Sequence, residues 1–364
     1  MAEIRPLERE DLPKVAEMLH ADLPTLVGHV RPSGGGVSGA RPQEEIAAFL
    51  ATTLLDDPWR DDELPSLVST EEGKVIGFIG AQARRFRFGD RILRGLCATH
   101  LTVAGGSRGG AAGALLLRRF LTGPQDFSYS DTANDEVARI WSTFGGQLDH
   151  GRSFDWMVVL RPLRWIGGIS AGAARRRLRS EQIPVGAFPF QAARRGSRWE
   201  LEESKDVRGA DAGASEITEA IPEMSRGLQL WADYDEHFLV HLFEQVEARF
   251  GRLSRRVVRR GDRAIGWYAY VPAPGGVSRI LHLRVTQREA EAVLGDLVDH
   301  ARENGSAVLS GRQEPQLTLA LQARLPILGF ARRPVLHCHD PEITAVLSSE
   351  KSLLTQLDGE WYVV

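Results

Sequence analysis

"VAGGSRGGAAGALLLRR", Val103 to Arg119, has glycine at five of its first eleven positions and then turns into a leucine- and arginine-rich helix pattern. Glycine weakens a helix, so this crowding against a helix start needs a reason. One reading is a flexible connection. The other is an anion site, because glycine lets backbone approach a ligand closely and the first amides of a helix have no internal partners. Those N–H groups, with the helix dipole behind them, suit a phosphate or pyrophosphate.

The flanking sequence gives the stretch its setting. Upstream, "PSLVSTEEGKVIGFIGAQARRFRFGDRILRGLCATHLTVAG" holds three β-rich runs divided by Glu-Gly and Gly-Asp turn signals, the pattern of an antiparallel meander. Before it, "EIRPLEREDLPKVAEMLHADL" reads as a strand and then a helix with Asp11 as N-cap and Pro13 in its first turn. A Gly- and Pro-rich loop, Arg31 to Pro42, separates that helix from a second one, "QEEIAAFLATTLL". A helix from about Gly113 to Leu121 is predicted after the glycines. It is followed by the strand "DFSYSDTAN", a helix "DEVARIWSTFGG" stopped by Gly145 and Gly146, and the strand "SFDWMVVLRPLRW". The predicted order is β-α-α-β-β-β-α-β-α-β.

From residue 166 to 197 the composition shifts to Gly, Ala and Arg, including "AGAARRRLRSE", which reads as a solvated linker because no aromatic stacking residues interleave its charges. The second half repeats the first in outline. "SRWELEESKDV" reads as a strand and "DEHFLVHLFEQVEARF" as a helix. Three strands in "SRRVVRRGDRAIGWYAYVPAPGGVSRILHLRV" and the helix "TQREAEAVLGDLVDHARENG" follow, then "AVLSGR". The expected organisation is two similar domains, 1–165 and 198–364, joined by the 166–197 linker.

Composition limits the function classes. The chain has 364 residues, 43% hydrophobic and 26% charged, long enough for two globular domains. Its 45 basic and 48 acidic side chains leave a net charge of −3, so no global excess favours nucleic acid or anionic membrane. Two cysteines, Cys97 and Cys338, make neither a disulfide framework nor a zinc site, and no metal centre is expected. With no apolar signal-type core and no stretch of ~18 apolar residues, a cytoplasmic location is expected.

Within this setting, the run Arg108-Gly109-Gly110-Ala111-Ala112-Gly113, five residues after Val103, resembles the acetyl-CoA-binding motif of the GNAT acyltransferase superfamily. The family pattern is Arg or Gln, two residues, Gly, one residue, then Gly or Ala; Ala111 replaces its first Gly. Asn134, Trp141 and Gly145 fall at the spacing of a second family element. The resemblance implies an α/β fold of the α+β type, with two GNAT-like domains, each a mixed, mostly antiparallel sheet flanked by helices. It implies acetyl-CoA or another acyl-CoA as co-substrate. Leu101 and Val103 would meet the pantetheine arm, the amides of Arg108, Gly109, Gly110, Ala111, Ala112 and Gly113 the pyrophosphate, and Asn134 the cofactor across a splay between two strands.

Acyl transfer to an amine needs a base, support for the oxyanion and a proton for the thiolate. In many relatives the base is a carboxylate three or four residues ahead of the position of Val103; here those places hold His100 and Thr99, the candidate catalytic residues. The alternative is a His packed inside the sheet. Trp141 stands where relatives use a tyrosine acid, and an indole N–H releases no proton at useful pH; Tyr129 or Ser130 are other candidates, and Trp141 reads as core. The second half lacks the glycine motif, which makes it a degenerate GNAT-like domain shaping the acceptor cleft or a dimer contact.

The function expected is transfer of an acetyl or short acyl group from acyl-CoA to a small-molecule or peptide amine by direct attack, without nucleic acid or membrane and with a homodimer possible. The alternative is a non-catalytic acyl-CoA-binding or scaffold protein. A tandem arrangement also resembles the peptidoglycan-type aminoacyl transferases, whose basic channel for charged tRNA is not evident in this sequence.

Overall fold

The computed structural model describes residues 2–26, 42–104, 107–161, 206–324, 327–331 and 333–363. The expected linker, 166–197, and residues 31–41 of the Gly- and Pro-rich loop lie outside them. The first half runs β1 (Glu3–Pro6), α1 (Leu12–Leu26), α2 (Gln43–Leu50), β2 (Leu67–Glu71), β3 (Lys74–Phe88), β4 (Arg91–Val103), α3 (Ser107–Leu121), β5 (Phe127–Ser130), α4 (Asp135–Thr143), β6 (Gln147–Leu148) and β7 (Phe154–Val159). The second half runs β8 (Val207–Asp211), α5 (Ala214–Met224), β9 (Leu230–Ala232), α6 (Glu236–Phe250), β10 (Ser254–Arg260), β11 (Arg263–Val271), β12 (Val277–Val285), α7 (Ala290–Glu303), β13 (Val308–Arg312), α8 (Thr318–Arg324), β14 (Ile327–Ala331), β15 (Val335–Cys338), α9 (Pro341–Leu347) and β16 (Ser352–Leu353).

The hairpin turns fall where the sequence signals them. Glu72 and Gly73 turn with φ of 51° and 76°, and Gly89 with 58°, left-handed values that join β2 to β3 and β3 to β4 tightly. One expectation is corrected: α3 starts at Ser107, not near Gly113, so Gly109, Gly110 and Gly113 lie inside its first two turns. Packing outweighs propensity there. A Cβ on Gly113 would stand 3.3 Å from Val103, and one on Gly77 of β3 2.9 Å from Leu116, so these glycines let α3 lie close on the sheet.

There are two mixed sheets. The first has the order β1-β2-β3-β4-β5-β15-β6, with β9 on β3 and β16 on β9; the second has the order β14-β7-β13-β12-β11-β10-β8. Each half thus lends strands to the other: β7 lies between β13 and β14, while β15 lies between β5 and β6, and β9, with β16 on it, pairs β3. A shared core holds Phe86, Phe127, Trp267, Leu357 and Trp361 between them. Burial of that apolar surface ties the halves together.

The strands entering α3 and α7 end alike, in His100-Leu101-Thr102-Val103 and His282-Leu283-Arg284-Val285. Each carries one extra residue against its hairpin partner, in β4 between the partners of Phe78 and Gly80 and in β12 between those of Ala269 and Tyr270. Such a bulge bends the strand and turns its end aside.

Candidate active site

Strand β5 pairs with β4 in parallel only over Gly95–Cys97, opposite Phe127–Tyr129. Beyond Cys97, β4 keeps β3 as its neighbour up to Val103 opposite Gly77, while β5, paired with β15 along its length, ends at Ser130. The two strands part at this point, and the bulge that bends β4 away contains His100, whose φ of 54° is left-handed. This divergence brings together His100, Thr99, Leu101 and Val103, with the start of α3 four residues beyond.

The glycine segment divides in two. A helix that begins at Ser107 leaves the N–H groups of residues 107–110 without internal partners, so Arg108, Gly109 and Gly110 belong to the open first turn. Ala111, Ala112 and Gly113 come later, and their amides are taken up by the i to i−4 ladder; Ala112 and Gly113 are also buried. Asn134 is the N-cap of α4: its Oδ1 accepts from Val137 N at 2.8 Å. Trp141 is buried core, packed in the cluster of Leu96, Leu117 and Phe120.

What the sequence reading missed is the end of the chain. Residues 354–362 run across both divergences. Arg312 Nη2 donates to the Leu354 carbonyl and His282 Nδ1 lies 2.9 Å from Thr355 Oγ1 at the second. At the first, Glu360 Oε2 accepts from Ser130 Oγ (3.0 Å), Asp131 N (3.0 Å), Thr132 N (3.0 Å) and Thr132 Oγ1 (2.8 Å). The Tyr362 ring then packs edge-on against His100, centroids 5.1 Å apart. Two acids and two aromatics in "LDGEWY" were the only sequence signal.

The electrostatics separate the candidates. Burial pulls His100 down to about 4, so its imidazole is neutral at pH 7 and only weakly basic. Burial and the neighbouring Asp131 carboxylate push Glu360 up to about 7, against the hydrogen bonds it accepts. Burial keeps the Tyr362 phenol protonated, with the Thr99 hydroxyl beside it. Tyr129 donates to the Asp358 carbonyl at 2.6 Å and Ser130 to Glu360, which commits both alternative proton donors to structure.

The corresponding parting in the second half leaves no room for a pantetheine arm. Strand β12 parts from β13 after Arg279, but Trp156 of β7 packs there, so that a Cβ on Gly311 would lie 2.9 Å from both Trp156 and Ile280. Glu289, held by Arg260 and Arg263, sits at the start of α7, where its charge would repel a phosphate. Among the described residues no cluster of His, Cys, Asp and Glu could hold a metal ion, and no helix is long and apolar enough to cross a membrane.

No protein-family model matches the sequence, and no curated protein matches it. Solved structures do. A GCN5-related N-acetyltransferase from Kribbella flavida superposes on 93% of this chain and 72% of its own, with 13% identity and a TM-score of 0.57. Eis1 from Mycobacterium abscessus covers 96% of this chain and 76% of its own, at 15% identity and TM-score 0.52. Saccharomyces cerevisiae N-myristoyltransferase with bound myristoyl-CoA covers 92% and 78%, at 11% identity and TM-score 0.50. The likeness is one of fold: the chain has the GCN5-related N-acetyltransferase fold.

Proposed function

We propose that the protein is an acyl-CoA-dependent N-acyltransferase whose donor site is the divergence of β4 and β5. The observation that carries this reading is the bulged end of β4, freed from β5 beyond Cys97 and leading into a helix whose first-turn amides are open. A pantetheine arm could add to that strand edge as a further strand would. The amides of residues 107–110 would then hold the pyrophosphate. The donor favoured is acetyl-CoA; the acceptor is a small-molecule or peptide amine.

The chemistry assigns the base to Glu360 rather than to His100. The amine nitrogen forms a bond to the thioester carbon, the C–S bond breaks, and the ammonium proton needs an acceptor. A carboxylate titrating near 7 matches that task at neutral pH, whereas an imidazole at about 4 does not. Tyr362, a protonated phenol against His100, is the candidate to give the thiolate its proton. Backbone N–H groups at the His100–Leu101 bulge are candidates for the oxyanion.

A non-catalytic acyl-CoA binder is the second reading, favoured by Trp141, which packs in the core where relatives have a tyrosine. Thiol release from acetyl-CoA over a panel of amines, compared with calorimetric binding of CoA, tests both. Turnover that Glu360→Gln removes supports the enzyme; binding without turnover supports the second reading; no binding ends both.

A further inference from the structure

We propose that the second half holds a small carboxylate-bearing molecule, clamped by the side-on edge of the Arg284 guanidinium. The proposal does not rest on acyl transfer. Arg284 sits next to the end of β12 and is 1% exposed. Its Nε and Nη2 have no hydrogen-bond partner among the described residues. Those two nitrogens point parallel N–H bonds along one edge of the guanidinium, the edge that takes both oxygens of a carboxylate.

The acids nearest to it are engaged elsewhere. Asp233 is held by Arg87 Nε and Nη2 at 3.0 and 2.9 Å. Asp358 accepts from Tyr234 and from Thr355 N and Oγ1. Among the described residues Arg284 is therefore a buried cation without an ion pair, and burial draws its pKa down to about 10. Such a charge is unfavourable unless something completes it.

The surroundings indicate what would complete it. Antiparallel pairing sets Trp267 opposite Arg284 and Ala269 opposite His282, so Trp267, His282 and Arg284 project from one face of the sheet. Trp231 lies under the guanidinium, 5.5 Å from its ring centre. The indole N–H of both tryptophans is buried and unpartnered among the described residues, which adds two donors. His282 supplies the opposite. The single hydroxyl proton of Thr355 goes to Asp358 Oδ2 at 2.8 Å, so the 2.9 Å contact with His282 must be donated by Nδ1–H. This leaves His282 Nε2 as a buried acceptor with no donor. Burial and the Arg284 charge hold that ring neutral. A carboxylate with a hydroxyl or amino group on the adjacent carbon offers two acceptors to Arg284 and the indoles and one hydrogen to His282.

The test uses the full chain, read by tryptophan emission and by melting temperature. It is titrated with sodium acetate, glycolate or glycine against sodium chloride at matched ionic strength. A saturable response to the carboxylates and none to chloride is expected, with glycolate or glycine binding roughly threefold or more tighter than acetate through the added hydrogen bond. Which of the two binds tighter distinguishes a hydroxy acid from an amino acid. Arg284→Met should lose the saturable response while melting at or above the wild-type temperature without ligand, because it removes that buried charge. Trp267→Phe, which keeps the ring, should weaken binding about threefold. No saturable response to any of the three in the wild type overturns the proposal, as does a wild-type response in Arg284→Met or a lower ligand-free melting temperature for that variant.

Discussion

Thr132 and Glu360 lie 228 positions apart and are joined twice, through the Thr132 backbone N–H at 3.0 Å and its hydroxyl at 2.8 Å, both on Glu360 Oε2. The junction fastens the last turn of the described chain to the end of β5 and carries Tyr362 onto His100. The candidate active site is thus built from residues near positions 100–132 and 360–362. A carboxylate accepting four hydrogen bonds ordinarily titrates low; here burial and the charge of Asp131 outweigh the donors.

Glu360 should therefore show itself in two pH dependences. Its folded value of about 7 lies above the ordinary 4.5, so between these values the folded chain binds more protons than the unfolded one. Its contribution to stability is full below the lower value and is lost as pH rises through about 7. Glu360→Gln removes this dependence, so the variant should gain on the wild type between pH 5 and pH 8 by on the order of 1–3 kcal/mol in urea unfolding. Its kcat/KM should fall by ~10²–10⁴ and lose the rise toward pH 7 expected of the wild type. A wild-type rate profile in the variant would take Glu360 out of the chemistry.

His100 has the opposite sign. Its folded value of about 4 lies below the ordinary 6.5, so the unfolded chain binds more protons in that window and stability falls as pH drops through it. His100→Gln should lose less stability than the wild type between pH 7 and pH 4, by up to about 3 kcal/mol and less where solvent screens the partly exposed ring. The backbone adds a second check. At φ 54° a side chain is strained, so His100→Gly should be more stable than His100→Ala by ~1 kcal/mol in the same unfolding experiment.

The sequence made the local elements legible, since alternation and glycine turns mark β2, β3 and β4, and Asp235 caps α6 as its pattern indicates. The start of α3 was not legible, because glycine propensity argues against a helix that close packing on Val103 and Leu116 favours. The exchange of β7 and β15 was hidden for a different reason: period-2 patterning tells which face of a strand is buried, not which sheet it joins. Residues 354–362 form short turns without periodicity, and partners from 42 to 274 positions away fix them. Arg284, one charge in "LHLRV", looks solvated until Trp231 and Trp267 are seen around it.

Gly113 offers a test of what the glycines do. As the seventh residue of α3 its amide is internally bonded, and its missing side chain makes room for Val103 at 3.3 Å. Gly113→Ala should change stability by less than about 1 kcal/mol, the helix gain offsetting the tight contact, and leave CoA affinity within roughly threefold. Gly113→Leu should push α3 off β4 and cost about 1–3 kcal/mol. A large loss of calorimetric CoA affinity in folded Gly113→Ala would return residue 113 to the anion site.

The two sheets are also tied by charge. Arg312 at the end of β13 reaches Asp131, beyond the end of β5, at 2.5 Å and Glu314 at 3.0 Å, while Arg152 holds Glu314 at 2.9 Å and Asp149 at 2.7 Å. All five side chains are buried, so removing one cation strands acids that water cannot reach. Arg312→Met should cost about 3–5 kcal/mol, whereas removing an exposed ion pair would cost at most ~1 kcal/mol. Salt tells the two cases apart. The Arg312→Met deficit in urea unfolding should persist from low salt to about 1 M sodium chloride, where the Debye length is roughly 3 Å and exposed pairs are screened. A deficit that salt erases would mean that solvent reaches this network and that apolar packing alone holds the halves together.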